Sequence, residues 1–181
     1  VLYGWPAVRS LPVKEGVVEP RGVRGVVARA IVDLLATYRE RSMVEFSALA
    51  LGSVYGRRQA AGGGVVAAFA EALERGVAPV LEGDGRQTRD FVYIDDVVDA
   101  LVRAGDRSSG LLINVGTGEQ TQVRDVWQQM SGGAGPAPTT APARTDELIR
   151  FSISPVRARI HLAWSPWTDL ATGLALVRQS G

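Results

Sequence analysis

The chain contains no cysteine, and it has one histidine, His161, and one lysine, Lys14, among its 181 residues. Without cysteine it can form neither disulfide bonds nor catalytic thiolates. A single imidazole gives too few ligands for a histidine-based metal site, so no metal is expected. We expect a cytoplasmic location, because a chain without disulfides is typical of a reducing compartment.

Long apolar runs and a strong charge of one sign are also missing. No stretch reaches the ~18 apolar residues that suggest a membrane-spanning helix, so no membrane contact is predicted. The formal net charge is +1, which provides no general field for nucleic acid. With 46% apolar and 22% charged residues, the composition is typical of a globular domain with a buried core.

The spacing of apolar residues predicts alternating helices and strands. A long helix with a wide apolar stripe is predicted over 22–41. Asp95 or Asp96 is expected to cap the helix that follows residue 94. Strands are predicted over 44–51, 79–82, 90–94 and 111–115. The alternation of strand and helix without an internal repeat indicates an α/β fold with a mostly parallel sheet.

Two glycine-rich turns partly fit a dinucleotide-binding fingerprint. The Gly62–Gly64 turn opens a helix, but the strand before it ends about ten residues earlier, so the tight strand-to-helix turn is missing. The Gly116–Gly118 turn lies between a strand and a helix. However, Thr121 takes the place of the third glycine, and its branched side chain prevents close packing there. Both turns are interpreted as ordinary connections.

Several motifs, spread along the chain, carry a family resemblance. The most specific one runs from Glu82 to Val98 and contains the sequence Gln-Thr-Arg-Asp. Others are Leu49–Gly56, Asn114–Gly118 and Leu162–Pro166. In this order they are similar to motifs of the extended short-chain dehydrogenase/reductases, the NAD-dependent nucleotide-sugar epimerases and dehydratases of the UDP-glucose 4-epimerase type.

The resemblance implies the architecture. It predicts an α/β fold in which 1–60 are the remnant of a Rossmann-type parallel sheet. Residues 61–181 would mainly form the small C-terminal substrate-binding subdomain of the family. On this alignment the cofactor fingerprint and the catalytic serine or threonine would lie before Val1.

The resemblance also implies residues that hold the diphosphate and ribose of a UDP- or dTDP-sugar. Arg89 and Arg144 resemble the two family arginines on the pyrophosphate, and Glu147 resembles the acid that accepts from the ribose. Guanidinium groups suit a diphosphate because each can donate two parallel hydrogen bonds. Asp146 stands where the family has glycine, which places a negative charge near the diphosphate and lowers the expected affinity.

Three further substrate-binding residues follow from the resemblance. Val80 and Glu82 fall where backbone groups of the family meet the base. Ser53 stands where the family has an asparagine that touches the sugar-phosphate, and serine keeps a hydroxyl on a shorter side chain.

The family's catalytic pair is not matched. Its Tyr-x-x-x-Lys motif, expected on the helix after Pro20, falls on Arg24 and Ala28. The family reaction needs a phenol whose pKa, normally ~10, is lowered by a nearby cation. A guanidinium has no acceptor and a pKa above ~12, so Arg24 cannot replace that base. No catalytic residue is predicted. The family uses NAD, but no cofactor is predicted for this chain.

Three hypotheses for the function follow. The first is a degenerate epimerase/dehydratase-like protein that keeps part of the nucleotide-sugar site and is inactive alone. The second is a subunit of a split enzyme that a companion chain completes. The third is a non-catalytic interaction scaffold. A homodimer is also expected, because the apolar stripe of the long helix is wider than one sheet contact needs.

Overall fold

A computed structural model describes residues 2–16, 19–42, 44–60, 62–107, 110–143 and 148–179. These ranges contain six α-helices and eight short β-strands. In chain order they are α1 (Gly22–Ser42), β1 (Ser47–Leu51), β2 (Ser53–Tyr55), α2 (Val65–Glu74), β3 (Val80–Glu82), β4 (Thr88–Arg89), β5 (Phe91–Tyr93), α3 (Ile94–Asp106), β6 (Leu111–Val115), β7 (Thr121–Gln122), α4 (Val123–Ser131), β8 (Thr139–Ala141), α5 (Val156–Leu162) and α6 (Leu170–Arg178).

The strands pair mainly in parallel. Strand β1 pairs with β6, β2 with β5, and β3 with β8, all parallel, whereas β4 and β7 are antiparallel. Helices lie between the parallel partners along the chain, because a parallel connection must cross back over the sheet. The predicted α/β class with a mostly parallel sheet is confirmed.

Strands β1 and β2 are one extended segment that changes partner at Gly52. The Gly52 N–H donates to Val115 O over 2.9 Å, and the next N–H, of Ser53, donates to Asp90 O over 2.6 Å. A Cβ at position 52 would lie 2.7 Å from Asp90 O, which is closer than packed atoms approach. The absence of a side chain at Gly52 therefore allows the segment to pass from β6 to β5.

Two apolar cores flank these strands. One contains Tyr55, Phe69, Trp127 and Leu174, and it joins α2, α4 and α6 to β2 and β5. The other lies under α3 and α5 and contains Val92, Val97, Ala100, Ala104, Ile113, Val115, Ala158, Leu162 and Trp164. Buried side chains of this kind supply most of the free energy that stabilises a domain.

Two buried aspartates tie distant segments together. The Asp90 carboxylate accepts hydrogen bonds from the N–H groups of Thr117, Gly118 and Ile153, over 2.7, 3.0 and 3.0 Å. The Asp96 carboxylate accepts from the N–H and the hydroxyl of Thr168, over 3.2 and 2.9 Å. Burial raises the pKa of Asp96, and the bonds from Thr168 oppose that rise.

The expected capping role of Asp95 or Asp96 is wrong. Tyr93 is the N-cap of α3, and the cap has no side-chain hydrogen bond. Both aspartates lie in the first turn of the helix, where a negative charge still favours the helix dipole. Asp96 faces inward to Thr168, so its tertiary contact replaces the local one.

Helix α1 is covered much less than the other helices. Of the described residues, Gly25 is the one buried position on this helix. Its exposed apolar side chains are Val23, Val26, Val27, Ile31, Leu34 and Tyr38. An apolar cleft of about 400 Å³ separates the helix from β1, with Ala28, Val32 and Leu35 on one wall and Leu49 on the other.

Strand β1 has a strand partner along one edge. Within the described ranges this partner is β6 alone, so the other edge of β1 is open there.

None of the helices in these ranges is both long enough and apolar enough to cross a bilayer. Nor do the described side chains include a group of three or more His, Cys, Asp or Glu that could hold a metal ion.

Candidate functional site

A cleft of about 990 Å³ lies between the first turn of α1, the β1–β2 junction, the N-terminus of α2 and strands β3 to β5. Its volume is at the upper end of the ~300–1,000 Å³ that is usual for small-molecule sites. Four of the six predicted substrate-binding residues line it, namely Ser53, Val80, Glu82 and Arg89. The fold therefore brings these four residues, which are up to 36 positions apart in the sequence, to one concave surface.

Ser53 is positioned by the change of strand partner. Its N–H is fixed to Asp90 O, and the residue is half-buried at the wall of the cleft. Gly52 also lines the cleft. Hydrogen bonds thus hold the backbone on both sides of this junction and fix the position of Ser53 in the cleft wall.

Strand β3 presents one backbone edge to the cleft. On the side of its partner β8, Pro79 O accepts from the Thr139 N–H and the Gly83 N–H donates to Ala141 O, each over 2.9 Å. Backbone groups of alternate residues in a strand point to opposite edges. Val80 and Glu82 therefore direct their N–H and C=O groups away from β8. One of these, Glu82 O, accepts from the Gln87 side chain over 3.0 Å.

Arg89 is held in place by carbonyl groups. Its Nη1 donates to Thr88 O over 2.9 Å and to Leu148 O over 2.6 Å. The side chain is half-buried, and antiparallel pairing of β4 with β7 fixes its backbone. These two bonds anchor the guanidinium at the wall of the cleft.

Arg144 and Glu147, the other two predicted residues, lie outside the described residues, as does Asp146. The residue that follows them, Leu148, lines the cleft and accepts the bond from Arg89. Their roles stay predictions.

The N-terminus of α2 also opens into the cleft, which the sequence interpretation missed. Residues 62–66 all line the cleft, and the N-cap, Gly64, supplies no side-chain hydrogen bond. The Gln59 Nε2 donates to Gly63 O over 2.8 Å and to Val54 O over 3.2 Å, which holds the turn against the strand. Uncapped helix N-termini attract anions through their free N–H groups and the helix dipole. A glycine run directly before a helix without Ser, Thr, Asp or Asn was the available signal.

The charges on the wall favour an anionic ligand. Arg24 and Arg89 contribute two cations, whereas Glu82 is the single carboxylate among the described residues that line the cleft. The helix dipole of α2 adds partial positive charge at the same surface.

Two buried tyrosines, Tyr55 and Tyr3, are poor proton acceptors. Tyr55 lines the cleft, and burial together with the charge of Asp96 raises the pKa of its phenol. Burial and Glu15 likewise raise the pKa of Tyr3, whose hydroxyl donates to Asn114 Oδ1. A general base of this family type would need the opposite shift.

Comparison with known proteins identifies the class. Residues 2–116 match the NAD dependent epimerase/dehydratase family, and the chain belongs to that family. The resemblance predicted from its motifs is confirmed.

Individual relatives agree with that assignment. The UDP-glucose 4-epimerase of Mycolicibacterium smegmatis is 43% identical over 146 residues, 78% of this chain and 47% of the relative. The solved UDP-glucose 4-epimerase of Thermotoga maritima, with UDP-glucose, superposes with a TM-score of 0.90 at 30% identity. It covers 98% of this chain, which in turn covers 59% of that structure. The chain thus spans about half the length of the curated relative, 47%.

The comparisons also correct one prediction. We expected no cofactor, but the UDP-glucose 4-epimerase of Thermus thermophilus was solved in complex with NAD. That structure has a TM-score of 0.87 at 29% identity and covers 99% of this chain, which spans 60% of it. The expectation of a cofactor-free protein is therefore wrong for a member of this group.

Neither glycine turn has the geometry of a dinucleotide-binding fingerprint. At the Gly116–Gly118 turn, the N–H groups of Thr117 and Gly118 already donate to the Asp90 carboxylate. A pyrophosphate would need those same donors, so this turn does not fit one. The Gly62–Gly64 turn does have an open helix N-terminus, but the preceding strand β2 ends at Tyr55, too early for the tight turn of a fingerprint.

Proposed function

We propose that the cleft binds a nucleoside-diphosphate sugar, a UDP- or dTDP-sugar, as the substrate-binding part of an epimerase/dehydratase fold. The observation that carries the proposal is that Arg89 and the uncapped N-terminus of α2 both line the same cleft. The UDP-glucose in the Thermotoga relative supports the ligand class.

Each part of a nucleotide sugar would contact a different group of residues in the cleft. The diphosphate of a nucleotide sugar carries one negative charge on each phosphate, and both a guanidinium and a helix N-terminus stabilise such charges. The backbone edge of β3 that faces away from β8, at Val80 and Glu82, would receive the base. Ser53 would face the sugar-phosphate, and Arg144 and Glu147 would complete the grip on the pyrophosphate and ribose.

We further propose that the residues of this chain do not by themselves perform the family's chemistry. On α1, Arg24 lines the cleft and Ala28 lines the apolar cleft beside β1. Neither side chain can take a proton from a sugar hydroxyl. The raised phenol pKa values of Tyr3 and Tyr55 argue against a substitute base.

Two alternatives remain open to test. A companion chain that completes a split enzyme is favoured by the open side of β1 and the apolar cleft beneath α1. A scaffold role would leave the cleft without a ligand.

We propose in addition that the chain forms a homodimer through the exposed stripe of α1, because an apolar face of this kind is stabilised by a second apolar surface.

Calorimetric titration with UDP tests the nucleotide site. We expect Arg89→Ala to weaken UDP binding by about 1.5–3 kcal/mol, the range for a hydrogen bond to a charged group. Arg159→Ala is the matched control, since Arg159 is an exposed arginine on α5 outside the cleft. Equal affinity of all three proteins would contradict the assignment of Arg89. No binding even by the unmodified chain would favour the scaffold.

A further inference from the structure

Residues 5–10, which we call the strap, have few contacts with the rest of the chain. None of them is buried. Within the described part of the chain, the hydrogen bonds of the strap join residues 7–11 to one another, as when the Ser10 N–H donates to Ala7 O over 2.9 Å. A segment with few buried contacts can rearrange at low cost in free energy while the fold around it stays intact.

Both ends of the strap are fixed to the buried core. Before it, Tyr3 is buried and its hydroxyl donates to Asn114 Oδ1. Gly4 follows with a φ of 58°, a conformation that glycine adopts readily and that turns the chain into the strap. After the strap, Val13 is buried and its N–H donates to Ser152 O over 2.9 Å. Any movement of the strap is therefore that of a flap between two fixed ends.

The strap reaches the cleft through Trp5. The indole lines the cleft and is 50% exposed. The guanidinium carbon of Arg21 lies 5.1 Å from the centre of its ring, so a cation–π contact keeps a positive charge beside the indole. A half-exposed indole gains free energy when a further surface covers it, and the charge beside it is attracted to an anion in the cleft.

We propose that the strap is a lid that closes over the cleft when a nucleoside diphosphate binds, and that Trp5 is the part of it that meets the ligand. The inference rests on the proposed function, because closure depends on an anionic ligand in the cleft. A ligand shifts a conformational equilibrium only by binding one state better than the other. The apolar ring and the adjacent charge of the strap supply that difference, and closure would shield the diphosphate from water.

Acrylamide quenching of tryptophan fluorescence, with and without UDP, tests the contact at Trp5. Of the four tryptophans, Trp5 and Trp167 are exposed, by 50% and 59%. Saturating UDP should lower the quenching by about half, because one of the two exposed indoles leaves the solvent. In Trp5→Phe, UDP should leave the quenching unaltered. Trp167→Phe, at a position outside the cleft, is the matched control and should retain the whole decrease.

A spin label distinguishes a strap that closes from a fixed wall. The chain has no cysteine, so Val8→Cys places a single label on the strap, at a side chain that is 56% exposed and does not line the cleft. UDP should broaden the spectrum of this label, because the label moves less once the strap has docked. Val98→Cys on α3, at a side chain that is 49% exposed, is the control and should give the same spectrum with and without UDP.

The outcomes separate the strap from the proposed function. A chain that does not bind UDP in a calorimetric titration would refute both. If UDP binds, an unaltered quenching of Trp5 would overturn the strap alone. A lower quenching with an unaltered label at position 8 would overturn closure as well, because Trp5 would then be a fixed part of the cleft wall.

Discussion

The strands β5 and β6 and the helix α1 have opposite surroundings within the same chain. Val92 of β5 and Ile113 and Val115 of β6 are completely buried, with α3 and α5 packed against them. On α1, which is the longest helix, six large apolar side chains are exposed. The first region satisfies its apolar surface within the chain, whereas the second has an apolar surface that only another surface can bury.

The largest difference in stability between the two regions should appear when one isoleucine in each is replaced by alanine. Ile113 is 0% exposed and Ile31 is 53% exposed. We expect Ile113→Ala to lower the free energy of unfolding by about 2–5 kcal/mol, because it leaves a cavity. Ile31→Ala should cost about 0.5 kcal/mol or less in a single chain. Urea unfolding at low protein concentration measures both, and equal costs would show that α1 is as well covered as β6.

The oligomeric state tests whether the exposed apolar face of α1 is buried by a second chain. Light scattering should give about twice the mass of one chain at micromolar concentration, because two-fold dimers are the commonest oligomers. Ile31→Asp and Leu35→Asp should return the mass to that of a single chain. Ile160→Asp, at an exposed isoleucine on α5, is the control that should leave the dimer intact. A single-chain mass for the unmodified protein would end the proposal.

The junction of β1 and β2 can be strained by one methyl group. Gly52→Ala places a Cβ 2.7 Å from Asp90 O, and we expect a loss of about 1–3 kcal/mol as for other overpacked sites. Gly105→Ala in α3, where a Cβ would meet no atom within 4 Å, should instead be neutral or stabilise by up to ~1 kcal/mol. Thermal unfolding compares the two, and similar melting temperatures would contradict the tight approach.

The smallest expected effect concerns Asp96 and pH. Burial raises its pKa in the folded chain above the value of about 3.9 for an unfolded aspartate. Its contribution to stability is therefore complete below that unfolded value and is lost as the pH rises through the folded pKa. The difference in unfolding free energy between the unmodified chain and Asp96→Asn should thus shrink with rising pH. A difference that is constant between pH 3.5 and 7 would contradict the shift.

Much of the fold follows from local pattern, and the rest depends on contacts that local pattern does not contain. The strand predicted over 111–115 is β6 as observed, because a short apolar run is a strong signal. The long helix predicted over 22–41 is α1, which extends one residue further. The partner change at Gly52 and the inward role of Asp96 were not predicted, since each depends on residues dozens of positions away.

The candidate site likewise contains residues that the motifs predicted and residues that they did not. Motif resemblance selected Ser53, Val80, Glu82 and Arg89, and these residues line one cleft. It did not select Trp5 or Arg24, which also line the cleft, because Trp5 lies outside the motifs and Arg24 stands where the family has tyrosine. The proposed division of the chain at residue 60 stays a prediction, as do Arg144 and Glu147.

The position of Asp90 has a consequence for how the chain folds. Its carboxylate accepts from residues 27 and 63 positions further along the chain, so it is satisfied only after three remote segments have met. A partly assembled chain that buries Asp90 without those donors would retain an uncompensated charge, which is costly. Such intermediates are disfavoured, and the strands and the C-terminal segment are expected to fold in one cooperative step rather than in sequence.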